Sequence, residues 1–197
     1  MLFRSDEWIR YWTELPPGGS WAISVDAAFK GADTSDFVVI QVWCSQGANH
    51  YLVDQVRGRF DFVQTIEQLL GVTRRYPDAL TKLIEAKANG PAIVSMLRDR
   101  VPGLVEVEPD GGKEARTHAV EPLFAAGNVW FPHPEHSRLP DGRRGAPWVP
   151  PCVHEIVTFP AAAHDDQLDA CTQYLNHVAL RGGALIEAAM SAWRRGL

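Results

Sequence analysis

Between Trp21 and Gly58 the chain passes through three stretches that favour extended backbone, with only short turns between them. "WAISVDAAF" alternates and is rich in strand formers, "DFVVIQVWCSQG" is a longer apolar run, and "NHYLVDQVRG" comes after a break at Gly47 to Asn49. Three such runs in succession predict an antiparallel meander. A meander that opens a chain supplies half a sheet, and the remaining residues must cover its faces or extend its edges.

At Asp61 the period changes. "DFVQTIEQLLGVTRRY" carries Phe62, Ile66, Leu69 and Leu70 at helical spacing, with Asp61 placed as an N-terminal cap. Then "ALTKLIEA" reads as a strand, "GPAIVSMLRDRV" as a helix with Pro91 in its first turn, "GLVEVEP" as a strand, and "KEARTHAVEPLFAAG" as a helix ending at Gly127. Strands alternating with helices need crossover connections and imply parallel neighbours. The expected architecture is α/β: a central mixed sheet of about five main strands, three antiparallel and then two parallel, flanked by helices.

The rest is less regular. "MLFRSDEWIRYWTELPPGG" predicts a short amphipathic helix ended by Pro16, Pro17 and two glycines, a linker over residues 1–19 ahead of a domain spanning 20–197. "VWFPHPEHSRLPDGRRGAPWVPPCVHEI" has no lasting periodicity and predicts a long irregular loop or hairpin, of the kind that is more often functional than idle. A helix should begin after Asp165, and a second, "ALIEAAMSAWRRGL", has a basic end suited to a helix C-terminus.

Composition narrows the classes. With 46% hydrophobic and 22% charged residues the chain is globular, and no stretch approaches the ~18 uninterrupted apolar residues of a membrane span. Three widely spaced cysteines, Cys44, Cys152 and Cys171, predict buried thiols in a reducing compartment rather than a disulfide framework. A net charge of -5 argues against a surface that coats itself with nucleic acid. A local basic strip or a bound metal can override that.

Carboxylates fall at informative points. Asp26 ends the first strand, Glu85 the fourth, and "HDDQLDA" places Asp165, Asp166 and Asp169 at the head of a helix. If the first and fourth strands are neighbours, Asp26 and Glu85 lie side by side at their carboxyl ends, where α/β sheets place ligands. A single strand-end aspartate is more often a turn or cap residue, and one of the late aspartates can cap its helix. Capping does not account for Glu85 at the end of an apolar strand. Converging carboxylates within ~4 to 6 Å repel unless a cation joins them, and hard oxygen ligands select Mg²⁺ or Mn²⁺. Two such ions suit in-line phosphodiester hydrolysis. A rival zinc set of His133, His136, Cys152 and His154 lacks the paired spacing of structural zinc sites.

Four blocks, "VDAAFKGADTSDFVVIQVW", "LIEAKANGPAIVSMLR", "KEARTHAVEPLFAAGNVWFP" and "HEIVTFPAAAHDDQLDACTQYL", occur in an order and spacing that resemble the nuclease domain of the large terminase subunit of tailed bacteriophages, a member of the ribonuclease H-like superfamily. The likeness covers nearly all of residues 20–180. It implies a metal-dependent endonuclease that cuts concatemeric double-stranded DNA during genome packaging in the cytoplasm of a bacterial host. It also implies partners: an ATPase motor domain, a small terminase subunit and a portal. Carried over by position, the catalytic carboxylates are Asp26, Glu85 and one aspartate of "HDD", a pattern that does not itself choose between the neighbours; Asp166 is favoured. Asp165 is the alternative to Asp166, and Asp169 lies one turn further on. Helix geometry does not separate the two neighbours, since Asp169 is i+4 to one and i+3 to the other. No "GxxxxGK[ST]" occurs, so an isolated nuclease domain is expected, with residues 1–19 as the end of the linker from the motor.

DNA contacts are expected from Lys113 and Arg116 beside the turn at Gly111 and Gly112, from Lys87, which alternation puts on the side of Glu85, and from Arg143 and Arg144 in the irregular segment. Other readings are a junction resolvase, an RNA–DNA hybrid hydrolase, or a docking module that keeps the fold without the chemistry.

Overall fold

The computed structural model of the chain describes residues 6–27, 37–87 and 89–179. Seven strands form one sheet: β1 (Arg10–Trp12), β2 (Ser20–Asp26), β3 (Val38–Gln46), β4 (Asn49–Gly58), β5 (Thr81–Glu85), β6 (Leu104–Val107) and β7 (Val129–Pro132). Their order is β1-β7-β4-β3-β2-β5-β6. The helices are α1 (Phe62–Arg75), α2 (Gly90–Leu97), α3 (Lys113–Ala125), α4 (Val149–Thr158) and α5, residues 166–179. The final stretch, "ALIEAAMSAWRRGL", lies outside the described residues.

The expected meander is β2, β3 and β4, paired antiparallel throughout. β5 joins β2 in parallel and β6 joins β5, as the helix–strand alternation requires. Asp61 caps α1: its side chain accepts from the Gln64 backbone, and the Gln64 side chain answers on the Asp61 backbone.

Two strands exceed the five expected, because β7 runs parallel to β4 and β1 parallel to β7. β1 lies within residues 1–19, where the periodicity predicts a helix. A helix of that length is marginal in water, whereas the sheet edge buries Ile9 and Trp12 and gives the Trp12 indole N–H an acceptor at 2.9 Å, the Leu52 carbonyl. The irregular segment also shrinks, to residues 133–148. Val129–Pro132 extends the sheet, and α4 tolerates Pro150 and Pro151 because they sit in its first turn, where a backbone N–H has no intrahelical partner to lose.

The sheet is covered on both faces. Ile23, Val25, Ile40 and Ile84 pack with α1 and α2, while Ala22, Trp43 and Leu83 pack with α3, α4 and α5. Each such side chain taken fully out of water contributes about 1.5–3 kcal/mol.

One irregularity in β4 redirects its second half. Val42 opposes Asp54 while Trp43 opposes Leu52, so Val53 is an extra residue in β4. A bulge of this kind reverses the face presented by every later residue. Asp54 thereby faces α1. There its carboxylate, 1% exposed, accepts from the Tyr76 hydroxyl at 2.8 Å, Arg75 Nη1 at 3.2 Å and Arg143 Nη2 at 2.6 Å. Arg143, held also by Asp141 at 2.6 Å, ties the 133–148 segment down at this point. Burial first, and the Asp54 charge second, push the Tyr76 hydroxyl well above its ordinary pKa, so it remains a donor.

Asp54→Ala should therefore cost about 2 kcal/mol, because it strands the buried Tyr76 hydroxyl, and should show as a lower urea midpoint at unchanged slope. Arg143→Ala removes a guanidinium that is 48% exposed and should cost less than about 1 kcal/mol.

Candidate active site

Asp26 and Glu85 are the last residues of β2 and β5. Val25 stands level with Ile84 in that parallel pair, so the two acids leave the carboxyl ends of adjacent strands together. Strand alternation puts both on the α3–α5 face, two residues beyond Ser24 and Leu83. Asp26 is buried, at 4% exposure. After β5 the chain turns tightly into α2: a Cβ on Gly90 would stand 1.8 Å from the Glu85 carbonyl oxygen. Any side chain there would push the acid out of place.

α5 is fastened across the seam between these strands. Ser24 Oγ donates to the Ala170 carbonyl at 2.7 Å, and Gln173 Nε2 reaches Ser24 Oγ and the carbonyls of Val25 and Leu83 at 2.9–3.2 Å. Asp169, next to Ala170, is carried to the ends of β2 and β5. A cavity of about 350 Å³ is lined there by Asp26, Glu85, Asp169, Lys87, Lys113 and Arg116.

The two cations at the start of α3 engage the α5 acids directly. Lys113 Nζ lies 2.5 Å from Asp165 Oδ2 and 2.6 Å from Asp169 Oδ2, and Arg116 Nη2 lies 3.4 Å from Asp169 Oδ1. Burial alone would lower the Lys113 pKa, but its hydrogen bonds to Asp165 and Asp169 outweigh that and raise it. The Asp169 carboxyl is also raised, by burial first, against the opposing pull of Lys113. The lysine thus sits as a fixed counter-charge among carboxylates that would otherwise repel.

The three late aspartates divide between two sides of α5. Asp165 and Asp169, four residues apart, share the Lys113 side. Asp166 faces away: Oδ2 is 3.6 Å from Arg57 Nη2, is buried, and has no hydrogen bond. Burial, and then the Glu155 charge, raise its pKa. Asp166 does not line the cavity that holds Asp26 and Glu85.

The head of α5 is satisfied by a residue that sequence reasoning missed. Glu155 of α4, 5% exposed, accepts from the backbone N–H of Gln167 at 2.7 Å and of Leu168 at 3.2 Å, and its second oxygen accepts from Gln167 Nε2 at 2.6 Å. Gln167 continues to Gln55 at 2.8 Å and Gln55 to Gln41 at 2.9 Å, a buried amide chain reaching into β4 and β3. The available signal was one acid inside the apolar stretch 149–159, and nothing local says what it bonds.

Of the remaining expected contacts, Lys87 lines the cavity, whereas Arg143 is committed to Asp54 and Asp141 on the α1 face. Arg144 lines a separate groove with Glu14 and Arg138, which themselves pair at 3.7 Å. The rival zinc set does not converge. The His133 and His136 rings stack at 4.5 Å, Cys152 is wholly buried against Gln55, and His154 borders a cavity beside Arg57.

Among the described residues no three His, Cys, Asp or Glu side chains already enclose a metal position. The acids that line the cavity nevertheless fit a hard divalent ion in kind: they are carboxylates, and no thiolate or imidazole shares the lining of that cavity. An ammonium group already lies between two acids at its edge.

Among solved structures, the large terminase nuclease of thermophilic phage G20c with bound magnesium is similar at a TM-score of 0.64 and 13% identity, over 89% of this chain and 96% of that one. The same nuclease with bound zinc gives 0.63 and 14%, over 87% and 95%. The large terminase of thermophilic bacteriophage D6E gives 0.60 and 13%, over 89% of this chain and 44% of that longer one. At these identities the likeness establishes a shared fold. No curated protein sequence matches the chain significantly. Residues 23–178 match the family model of the terminase RNaseH-like domain, and the chain belongs to that family.

Proposed function

We propose that this domain is an endonuclease that hydrolyses double-stranded DNA with two divalent ions, Mg²⁺ or Mn²⁺, and cuts concatemeric phage genomes during packaging. The observation that carries this reading is the meeting of Asp26, Glu85 and Asp169, from β2, β5 and α5, on one cavity. These three would hold the ions, with Asp165 beside them. In this reading Asp169 takes the part expected of Asp166, since Asp166 points to Arg57. Bound ions of this type activate water and stabilise the leaving oxygen of a phosphodiester.

The chain's own groups do the rest. Lys113 and Arg116 sit at the N-terminal turn of α3, next to Gly111 and Gly112, where cations and free backbone N–H groups attract a phosphate. Lys113 holds Asp165 and Asp169 when no ion is bound, and is released toward the DNA backbone when one is. Lys87 borders the other side of the cavity and orients a second phosphate. Burial of Asp26 limits competing water. The motor domain, small terminase subunit and portal are the partners that such a nuclease would serve.

In this scheme Asp26→Asn and Asp169→Asn should each lower Mn²⁺-dependent plasmid nicking by more than about 100-fold while leaving the circular dichroism spectrum unchanged. Asp166→Asn should stay within about tenfold of the parent, as expected for a group outside the ligand set. Full cleavage by Asp26→Asn would sink the site. Linear duplex should be cut in preference to a four-way junction or an RNA–DNA hybrid.

Millimolar Mn²⁺ should raise Tm, since it relieves repulsion only in the folded state. Lys113→Met should lower the metal-free Tm and enlarge the metal-induced rise. A metal response unchanged in Lys113→Met would show that the lysine is not the stand-in cation.

A further inference from the structure

We propose that Glu155 is a positioning residue: it caps the helix that bears the metal-binding aspartates from outside, and so leaves the Asp165 side chain available to the cleft. The proposal rests on the nuclease reading and assigns a role within that site.

A helix start leaves backbone N–H groups without partners, and the side chain at the N-cap position normally accepts from the second or third of them. Asp165 occupies that position in α5, because its carbonyl receives the first helical hydrogen bond, from Asp169 N at 2.9 Å. Aspartate is among the best residues for the task. Its carboxylate nevertheless turns to Lys113. The N–H groups that it would satisfy, those of Gln167 and Leu168, go instead to Glu155 Oε1. A glutamate ten positions upstream, on another helix, therefore performs the local aspartate's task.

Nothing in the packing of α4 requires an acid at 155, where its neighbours Val149, Cys152, Val153 and Ile156 are core residues. A buried carboxylate is costly unless fully bonded, and Glu155 has three hydrogen bonds together with Arg57 at 3.7 Å. Arg57 bridges onward to Asp166 at 3.6 Å, and Gln167 is held by Gln55. The side of α5 that faces β4 is thus fixed at Asp166 and Gln167, which fixes its rotation. Asp165 and Asp169 can then only face α3. Without Glu155, Asp165 would be drawn back to cap its own helix, and the cleft would lose a carboxylate and the register of the next.

The test uses Glu155→Gln in the full chain, with Leu69→Ala on the opposite face as a control for destabilisation alone. The Mn²⁺ concentration for half-maximal nicking, and the Mn²⁺ affinity measured by calorimetry without DNA, should both weaken about tenfold or more in Glu155→Gln. Leu69→Ala should lose Tm but keep the parental metal requirement. Parental metal affinity in folded Glu155→Gln would overturn the proposal. If that variant does not fold, Gln167→Ala, which removes one of the three hydrogen bonds, should weaken the affinity to a lesser extent, and parental affinity there overturns it equally. A parent that binds Mn²⁺ without cutting DNA would refute the nuclease reading and leave the calorimetric comparison to decide Glu155. A parent that binds no Mn²⁺ refutes both.

Discussion

The parallel pairing of β2 with β5 is the constraint that creates the cleft. Adjacent strands lie about 4.8 Å apart, so two acids ending them at one level and on one face are held within the range where like charges oppose each other. The pairing is reached through α1, which carries the chain from the far edge of the meander back to β2 on the other side. Much of the molecule then answers a charge problem that its topology has set. α3 delivers Lys113 and Arg116 to the acids, and α5 is held over the seam by Ser24 and Gln173.

Charge is consequently local. A chain with a net charge of -5 gains no general attraction for a polyanion, but its cations are grouped where they count. Lys87, Lys113 and Arg116 border one cavity, and Arg57 serves the other side of α5. Under the proposed function, a divalent ion bound in this cleft would add to its attraction for DNA and so couple substrate attraction to competence for the reaction.

Much of this was legible in the residues. Period-2 runs gave the meander, the change of period at Asp61 gave α1 with its cap, and the strand-end positions of Asp26 and Glu85 placed them together once β2 and β5 were neighbours. The helix after Asp165 was legible as well. The features that stayed hidden depend on long-range partners. β1 and β7 are short, at three and four residues, and form only because a sheet edge exists to receive them. Local spacing could not say which of Asp165, Asp166 and Asp169 faces β5, because the rotation of α5 is set by Glu155 of α4, Arg57 of β4 and Ser24 of β2. Arg143 read as a DNA contact because an arginine in an irregular loop gives no sign of a buried aspartate 89 positions earlier.

The extra residue at Val53 carries a consequence for which changes this domain can tolerate. Upstream of it β4 keeps one face pattern, and downstream the opposite one, which is why Gln55 and Arg57 look toward α4 and α5 while Asp54 looks toward α1. If Val53 instead paired opposite Val42, strict alternation would turn Arg57 away from Glu155 and Asp166 and bring Asp54 toward them, setting a third acid beside two that had lost their cation. Replacing Val53 by another apolar residue would alter only packing. At this position the way the chain is paired, more than the side chain that fills it, keeps a cation beside the acids of α4 and α5.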